Sequence, residues 1–399
     1  MNTLYKLARR SLFAPTGLLM MAFLPFLSLP AAAVTLYGQT NLVSDIPGLA
    51  PVTDANLVNP WGISHAPNGP FWISDNGKGV TTLYQGNGSK VPLVVTIPPP
   101  AGGSTSAPTG QVFNSTNDFM ISSGGASGPS RFLFATEDGT ISGWNPAVPP
   151  PPPPLSTQAF FGVDNSATGA VYKGLALAKN GSDNFLYAAN FHNNTIDVFD
   201  KDFAPTTLAG SFTDPHPVAG FAPFNIQLIN GNLYVTYAKQ KPGTHDDEAG
   251  LGNGYIDIFG TNGNFIQRFA SGTAAGGKLT QLNSPWGMTI APDNFGTFSG
   301  DLLVGNFGSG LIDAFDSAGN FLGQLQGLDG NPLAIDGLWA LTTGAGVLNA
   351  DPNRVYFTAG LNDESHGLFG SLAVPEPGTL SLLGACAISG LIFRRRHRA

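Results

Sequence analysis

Four of the six histidines of this 399-residue chain, His192, His216, His245 and His366, lie in stretches rich in Asn, Asp and Gly. His245 opens the densest of these, running on through Asp246, Asp247 and Glu248. Asp75, Glu137, Asn190 and Asn306 each close a separate apolar run. Oxygen ligands from Asp75, Glu137, Asn190, Asn306 and the 246–248 cluster suit calcium or another hard divalent metal, whereas His192, His245 and His366 suit a transition metal. The same residue types also have a plainer use. Asp and Asn cap turns by accepting from nearby backbone N–H groups, and "THDDE" reads equally as a solvated loop. No EF-hand loop, HExxH pair, Gly-rich phosphate loop or GxSxG elbow occurs, so spacing alone identifies no reaction. Trp61 and Trp286 each precede a turn into an apolar run. They suit either stacking platforms for sugar rings or wedges between packed sheets.

The elements that must position these residues are short strands. The chain holds 52 Gly and 32 Pro with 11% charged residues, a composition for many strands joined by turns, hence an all-β fold. Turn-then-apolar segments recur as "NPWGIS" at 59, "PTGQVF" at 108, "YKGLAL" at 172, "PFNIQL" at 223, "PWGMTI" at 285 and "DGLWAL" at 336. Aligned on Gly62, Gly110, Gly174, Asn225, Gly287 and Gly337, they are separated by 48, 64, 51, 62 and 50 residues. A β repeat of this length predicts a six-bladed propeller over 34–373, each blade four strands. The sixth unit supplies only three runs, "GLWALTT", "RVYFTAG" and "GLFGSLA". The N-terminal "YGQTNLVSD" at 37–45 is expected to complete it and cover its edge. In such a fold the loops entering the inner strands, and those joining second to third strands, share one face around the channel. The histidines, carboxylates and both tryptophans map there, while Trp339 reads as core. The six-proline run within "VPPPPPPL" at 148–155 reads as a polyproline II excursion or a partner motif.

Two end segments differ from this body. Lys6, Arg9 and Arg10 precede "GLLMMAFLPFLSLP" and Ala31-Ala32-Ala33, which reads as a signal peptide over 1–33 removed by signal peptidase, or else an uncleaved anchor. At the other end, 374–399, Pro375-Glu376-Pro377 precedes an apolar stretch and Arg394, Arg395 and Arg396. Physically this is a single membrane helix with a basic tip facing the cytoplasm. Its order of motif, helix and basic cluster resembles the PEP-CTERM sorting signal of Gram-negative bacteria. That resemblance implies recognition by an exosortase, removal of the tail and delivery to the cell surface or extracellular matrix. The single cysteine, Cys386, lies in this tail, so the body carries no disulfide.

The runs "LYAANFHNNTIDVFD" and "LLVGNFGSGLIDAFD" resemble NHL-type propellers. The combination resembles an uncharacterised family of PEP-CTERM-tagged propellers, which implies no established reaction. Net charge is −8, and seven of the 18 basic residues lie in the end segments, so the body is more acidic still. Nucleic acid is excluded as a partner on that ground. Three functions stay open: a surface binding or scaffolding module for exopolysaccharide or a matrix protein, a metal-dependent lactonase-like or lyase-like enzyme with its site at the channel mouth, and a purely structural matrix protein.

Overall fold

The computed structural model describes residues 34–149, 155–272, 281–348 and 350–376. The expected signal peptide and C-terminal helix lie outside them. Among the described residues no helix is long and apolar enough to cross a membrane.

Six antiparallel sheets of four main strands each form the blades. From the inner strand outward, blade one is Pro60–His65, Phe71–Asp75, Val80–Tyr84 and Lys90–Thr96; blade two is Pro108–Phe113, Phe132–Thr136, Thr140–Trp144 and Phe160–Asp164. Blade three is Tyr172–Asn180, Asp183–Asn190, Thr195–Phe199 and Pro205–Thr206, its outer strand reduced to two residues. Blade four is Phe221–Ile229, Asn232–Lys239, Gly254–Phe259 and Phe265–Ser271; blade five is Pro285–Ile290, Leu302–Asn306, Ile312–Phe315 and Phe321–Gln324. Blade six takes Leu338–Thr343, Val355–Gly360 and His366–Ala373 from the C-terminal part, and its fourth strand is Leu36–Ser44. That closing strand runs antiparallel to His366–Ala373, from Gly38 opposite Ala373 to Ser44 opposite Leu368, as the missing fourth run of the last unit requires.

Second strands such as Phe71–Asp75 and Phe132–Thr136 are buried throughout, because each sheet is covered on both faces by its neighbours. Aromatic rings fill the space between blades: Trp72 stacks on Phe132 at 4.0 Å between blades one and two. Around the channel the inner strands approach so closely that four of the six residues at one register are glycine. A Cβ on Gly174 would meet Asn225, and one on Gly287 would meet the backbone of Trp339 to Leu341. The sixth member of this ring is therefore Ala340, and the Gly337 alignment is three residues out of register.

Candidate functional site

The position just before each ring residue is Trp61, Thr109, Lys173, Phe224, Trp286 and Trp339, one from each inner strand or its first turn. These side chains form a central plug. Trp339 stacks on Trp61 at 3.5 Å and on Phe307 at 3.9 Å, and Trp286 stands edge-on to Trp61 at 6.2 Å. Trp61, Trp286 and Trp339 are only 2%, 4% and 1% exposed, so they make a packed floor beneath the mouth and not a surface platform. Trp339 belongs to the same ring as the other two, which the sequence alignment had separated from them. On the far side of the plug the channel holds a cavity of about 300 Å³ whose lining includes His65, Gln111, Asn225 and Trp286.

Above the floor, all six blades contribute to one polar cluster. Lys173, 3% exposed, places its Nζ 4.9 Å from the Trp61 ring centre and 2.5 Å from Glu137 Oε1. Asn76 Nδ2 donates to Glu137 Oε2 at 2.9 Å, and Asn59 Nδ2 donates to Asn76 Oδ1 at 3.3 Å and to Glu364 Oε2 at 2.7 Å. Trp339 Nε1 donates to Asn59 Oδ1 at 3.2 Å, tying the network to the floor. Blade four adds Asp247 and blade five adds Ser284, which faces it.

The carboxyls of the cluster are held in different states. Burial pushes Glu137 up, but the Lys173 ammonium, the Asn76 amide and His245 outweigh it and hold the group below the ordinary carboxylate value. Glu364 is pushed up to about 7 by burial, against the Asn59 hydrogen bond, with Glu137 and Asp247 adding to the rise. Asp247 is raised by burial too, against the Ser284 hydroxyl and Lys173. The Ser284 hydroxyl stands near Asp247 without completing a hydrogen bond, so Asp247 Oδ2, Ser284 Oγ and Trp61 Nε1 are all buried without a partner. Such atoms are expensive to leave unfilled in a native interior.

The backbone that carries the cluster is strained where it delivers these groups. Asn59 and Ser284 have φ of 46° and 50° directly before Pro60 and Pro285, and Asn362, Asp363 and Glu364 are left-handed in succession at 52°, 51° and 63°. Each such non-glycine residue costs on the order of 1–3 kcal/mol and persists where its surroundings over-determine it.

The sequence-derived candidates divide. Glu137 and Asp247 enter the cluster. Asp75 does not line up with Glu137: Pro60 pairs with Asp75 and Pro108 with Thr136, so Thr136 is its true counterpart and Glu137 corresponds to Asn76. Asp75 is fully buried in blade one and its carboxyl is raised well above the ordinary value by burial. Asn190 and Asn306 brace their own blades, donating to Asp197 at 2.9 Å and Asp313 at 3.0 Å while accepting from the backbone N–H of Val171 and Asn283. His192 and His245 meet at 4.9 Å as exposed rings on the rim. His366 Nδ1 lies 2.7 Å from Asp45 Oδ2 at the closing strand, and Glu248 pairs with Lys239 at 2.8 Å. Asp246 is exposed, and the exposed His216 serves the entry to blade four through its backbone. No three His, Cys, Asp or Glu side chains among the described residues are arranged to hold a metal ion. Asn59, Asn76, Lys173, Ser284 and Glu364 were not singled out from sequence. The repeated "NPWG" and "SPWG" could have flagged Asn59 and Ser284.

Two uncharacterized proteins of Acanthamoeba polyphaga mimivirus are 35% identical to the chain, one over 350 residues covering 86% of this chain and 82% of the relative. The other aligns over 354 residues, 86% of this chain and 87% of the relative. The chain belongs to their family. Residues 373–396 match the PEP-CTERM protein-sorting motif, which implies export, surface sorting and processing by an exosortase-type enzyme. Among solved structures, a protein of unknown function from Bacteroides thetaiotaomicron shares the fold, with a TM-score of 0.52 and 13% identity over 85% of this chain and 76% of that one.

Proposed function

We propose that this family member is an exported, surface-sorted binding module that takes a small, hydrogen-bonding ligand at the channel mouth. The observation that carries the reading is the convergence of six blades on one strained, incompletely satisfied cluster of Asn59, Asn76, Glu137, Lys173, Asp247, Ser284 and Glu364. Packing needs no such arrangement, and an apolar plug alone would close the channel at lower cost. With Glu137 neutralised by Lys173 and Glu364 raised to about 7, the mouth suits a ligand bearing hydroxyl or amide groups. Exopolysaccharide or a matrix protein at the cell surface would present such groups. The signal peptide over 1–33 and the anchoring helix of the tail belong to the same proposal and explain how the body reaches that surface.

A second reading rests on one feature. Glu364, raised to about 7, is linked through two amides, Asn59 and Asn76, to Glu137, held low, and carboxyls pushed apart in this way are the pattern of acid–base chemistry. The test for both is titration calorimetry of the purified protein against extracted surface polysaccharide and its fragments, with product analysis of the same mixtures. Binding that is lost in Glu364→Gln and Asn76→Ala supports the mouth. Fragment release that is lost in the same variants supports the catalytic reading. Binding that both variants retain would place the ligand elsewhere and sink both.

A further inference from the structure

Two carboxyls of the mouth cluster, Asp247 and Glu364, have no ion-pair partner among the described residues. We propose that the mouth ligand bears a primary ammonium group beside a hydroxyl, as a deacetylated amino sugar does. This ligand class rests on the mouth reading and deepens it.

The balance of charge in the cluster calls for a cation. Glu137, Asp247 and Glu364 share a single lysine, and Lys173 is committed to Glu137. Glu364 accepts one hydrogen bond from Asn59, and the charged groups that face it are Glu137, Lys173 and Asp247. On the rim, His245 acts on Glu137 and Lys239 pairs with Glu248, so neither neutralises the two remaining carboxyls. The acidic body favours the approach of a positive ligand.

The unfilled atoms say what kind of cation fits. Ser284 is fully buried, its hydroxyl stands near Asp247, and neither Ser284 Oγ nor Asp247 Oδ2 has a hydrogen-bond partner. A primary ammonium has three N–H donors and no acceptor, which answers Asp247 Oδ2, Ser284 Oγ and the Glu364 carboxyl together. A calcium-like ion fits less well, since it takes about six to eight oxygen ligands. No three His, Cys, Asp or Glu side chains among the described residues are arranged to hold a metal ion.

An amine alone leaves one floor atom unanswered. Trp61 Nε1 is a buried donor without an acceptor, in the ring that lies 4.9 Å from Lys173 Nζ. A ligand oxygen next to the ammonium supplies that acceptor. Adjacent ammonium and hydroxyl groups characterise a deacetylated amino sugar, whereas a lysine side chain carries the first without the second. N-acetylation removes both the charge and two of the three donors.

Calorimetry on the purified protein near pH 6, in buffers of different ionisation enthalpy, would use the β-linked glucosamine disaccharide. Its N-acetylated form, the glucose disaccharide and a lysine-containing peptide are the controls. The glucosamine disaccharide should bind at least about tenfold more tightly than each control. Its ammonium lowers the Glu364 carboxyl, so binding should release about one proton. Asp247→Asn and Glu364→Gln should each weaken binding by about tenfold or more without lowering the melting temperature, and Glu364→Gln should abolish the proton release. Binding of the N-acetylated or glucose disaccharide as tight as that of the amine, and lost in Glu364→Gln, would overturn the ammonium and leave the mouth site standing. Equal binding of the lysine peptide would overturn the sugar. No binding of the glucosamine disaccharide, or binding without proton release, would overturn the proposal. Binding retained in both variants would overturn it together with the mouth reading.

Discussion

Trp339 of the last blade lies flat on Trp61 of the first at 3.5 Å, and the Lys173 ammonium lies 4.9 Å from the Trp61 ring centre. The floor of the channel is therefore also the joint between the two ends of the repeat. Trp339→Ala should destabilise the protein by about 3–5 kcal/mol, since a fully buried indole leaves a cavity its rigid neighbours cannot close. Urea unfolding gives the number. A loss below about 1 kcal/mol would mean that the plug carries little of the packing.

Glu364 makes stability depend on pH in a stated direction. The folded protein keeps its proton up to about 7, whereas the ordinary carboxyl value is 4.5. Its contribution is fully present below pH 4.5 and is lost as pH rises through about 7. Glu364→Gln should match the parent near pH 5 and exceed it at pH 8, by an amount on the order of 3 kcal/mol at most. Urea melts at the two pH values test this; parallel losses in both proteins would refute it.

Lys173→Met leaves the Glu137 carboxylate beside the buried floor without its cation. The expected loss is about 3 kcal/mol, and the Glu137 titration followed by carbon NMR should move upward. Adding Glu137→Gln should recover part of the stability, because the uncompensated charge is then removed. A double variant no more stable than Lys173→Met alone would show that the pair acts through packing only.

Arg268 holds two carboxylates, Asp214 and Asp257, the second of which is raised to about 7 chiefly by burial. Arg268→Met should cost about 3–5 kcal/mol at pH 7 and less at pH 5, where Asp257 takes up its proton. Thermal melts across that interval distinguish this from a simple packing loss, which would be the same at both.

The fold was legible because every blade repeats a turn followed by apolar runs, and because the last unit visibly lacked a strand that 37–45 could supply. The ring register failed in the sixth unit, where Ala340 stands in place of glycine and a nearby Gly337 drew the alignment to itself. That offset also separates Trp339 from Trp61 and Trp286, although its reading as core holds. Aligning the ends of the apolar runs sets Glu137 opposite Asp75, although strand pairing puts Thr136 there. Glu364 was out of reach: it enters the cluster through three successive left-handed residues, a conformation that "LNDE" does not advertise. Lys173 looks like any lone lysine until four neighbouring blades close around it.

The closing strand has a mechanical consequence. His366–Ala373 is bonded on one side to Val355–Gly360 and on the other to Leu36–Ser44, and the sorting motif begins at residue 373. Any pull on the chain beyond Ala373 therefore enters a strand held along both edges, so that many hydrogen bonds share the tension before any one yields. A lone edge strand would peel open one bond at a time. A propeller tethered through this end at a wet, sheared surface would resist drag through the same seam that completes its circle.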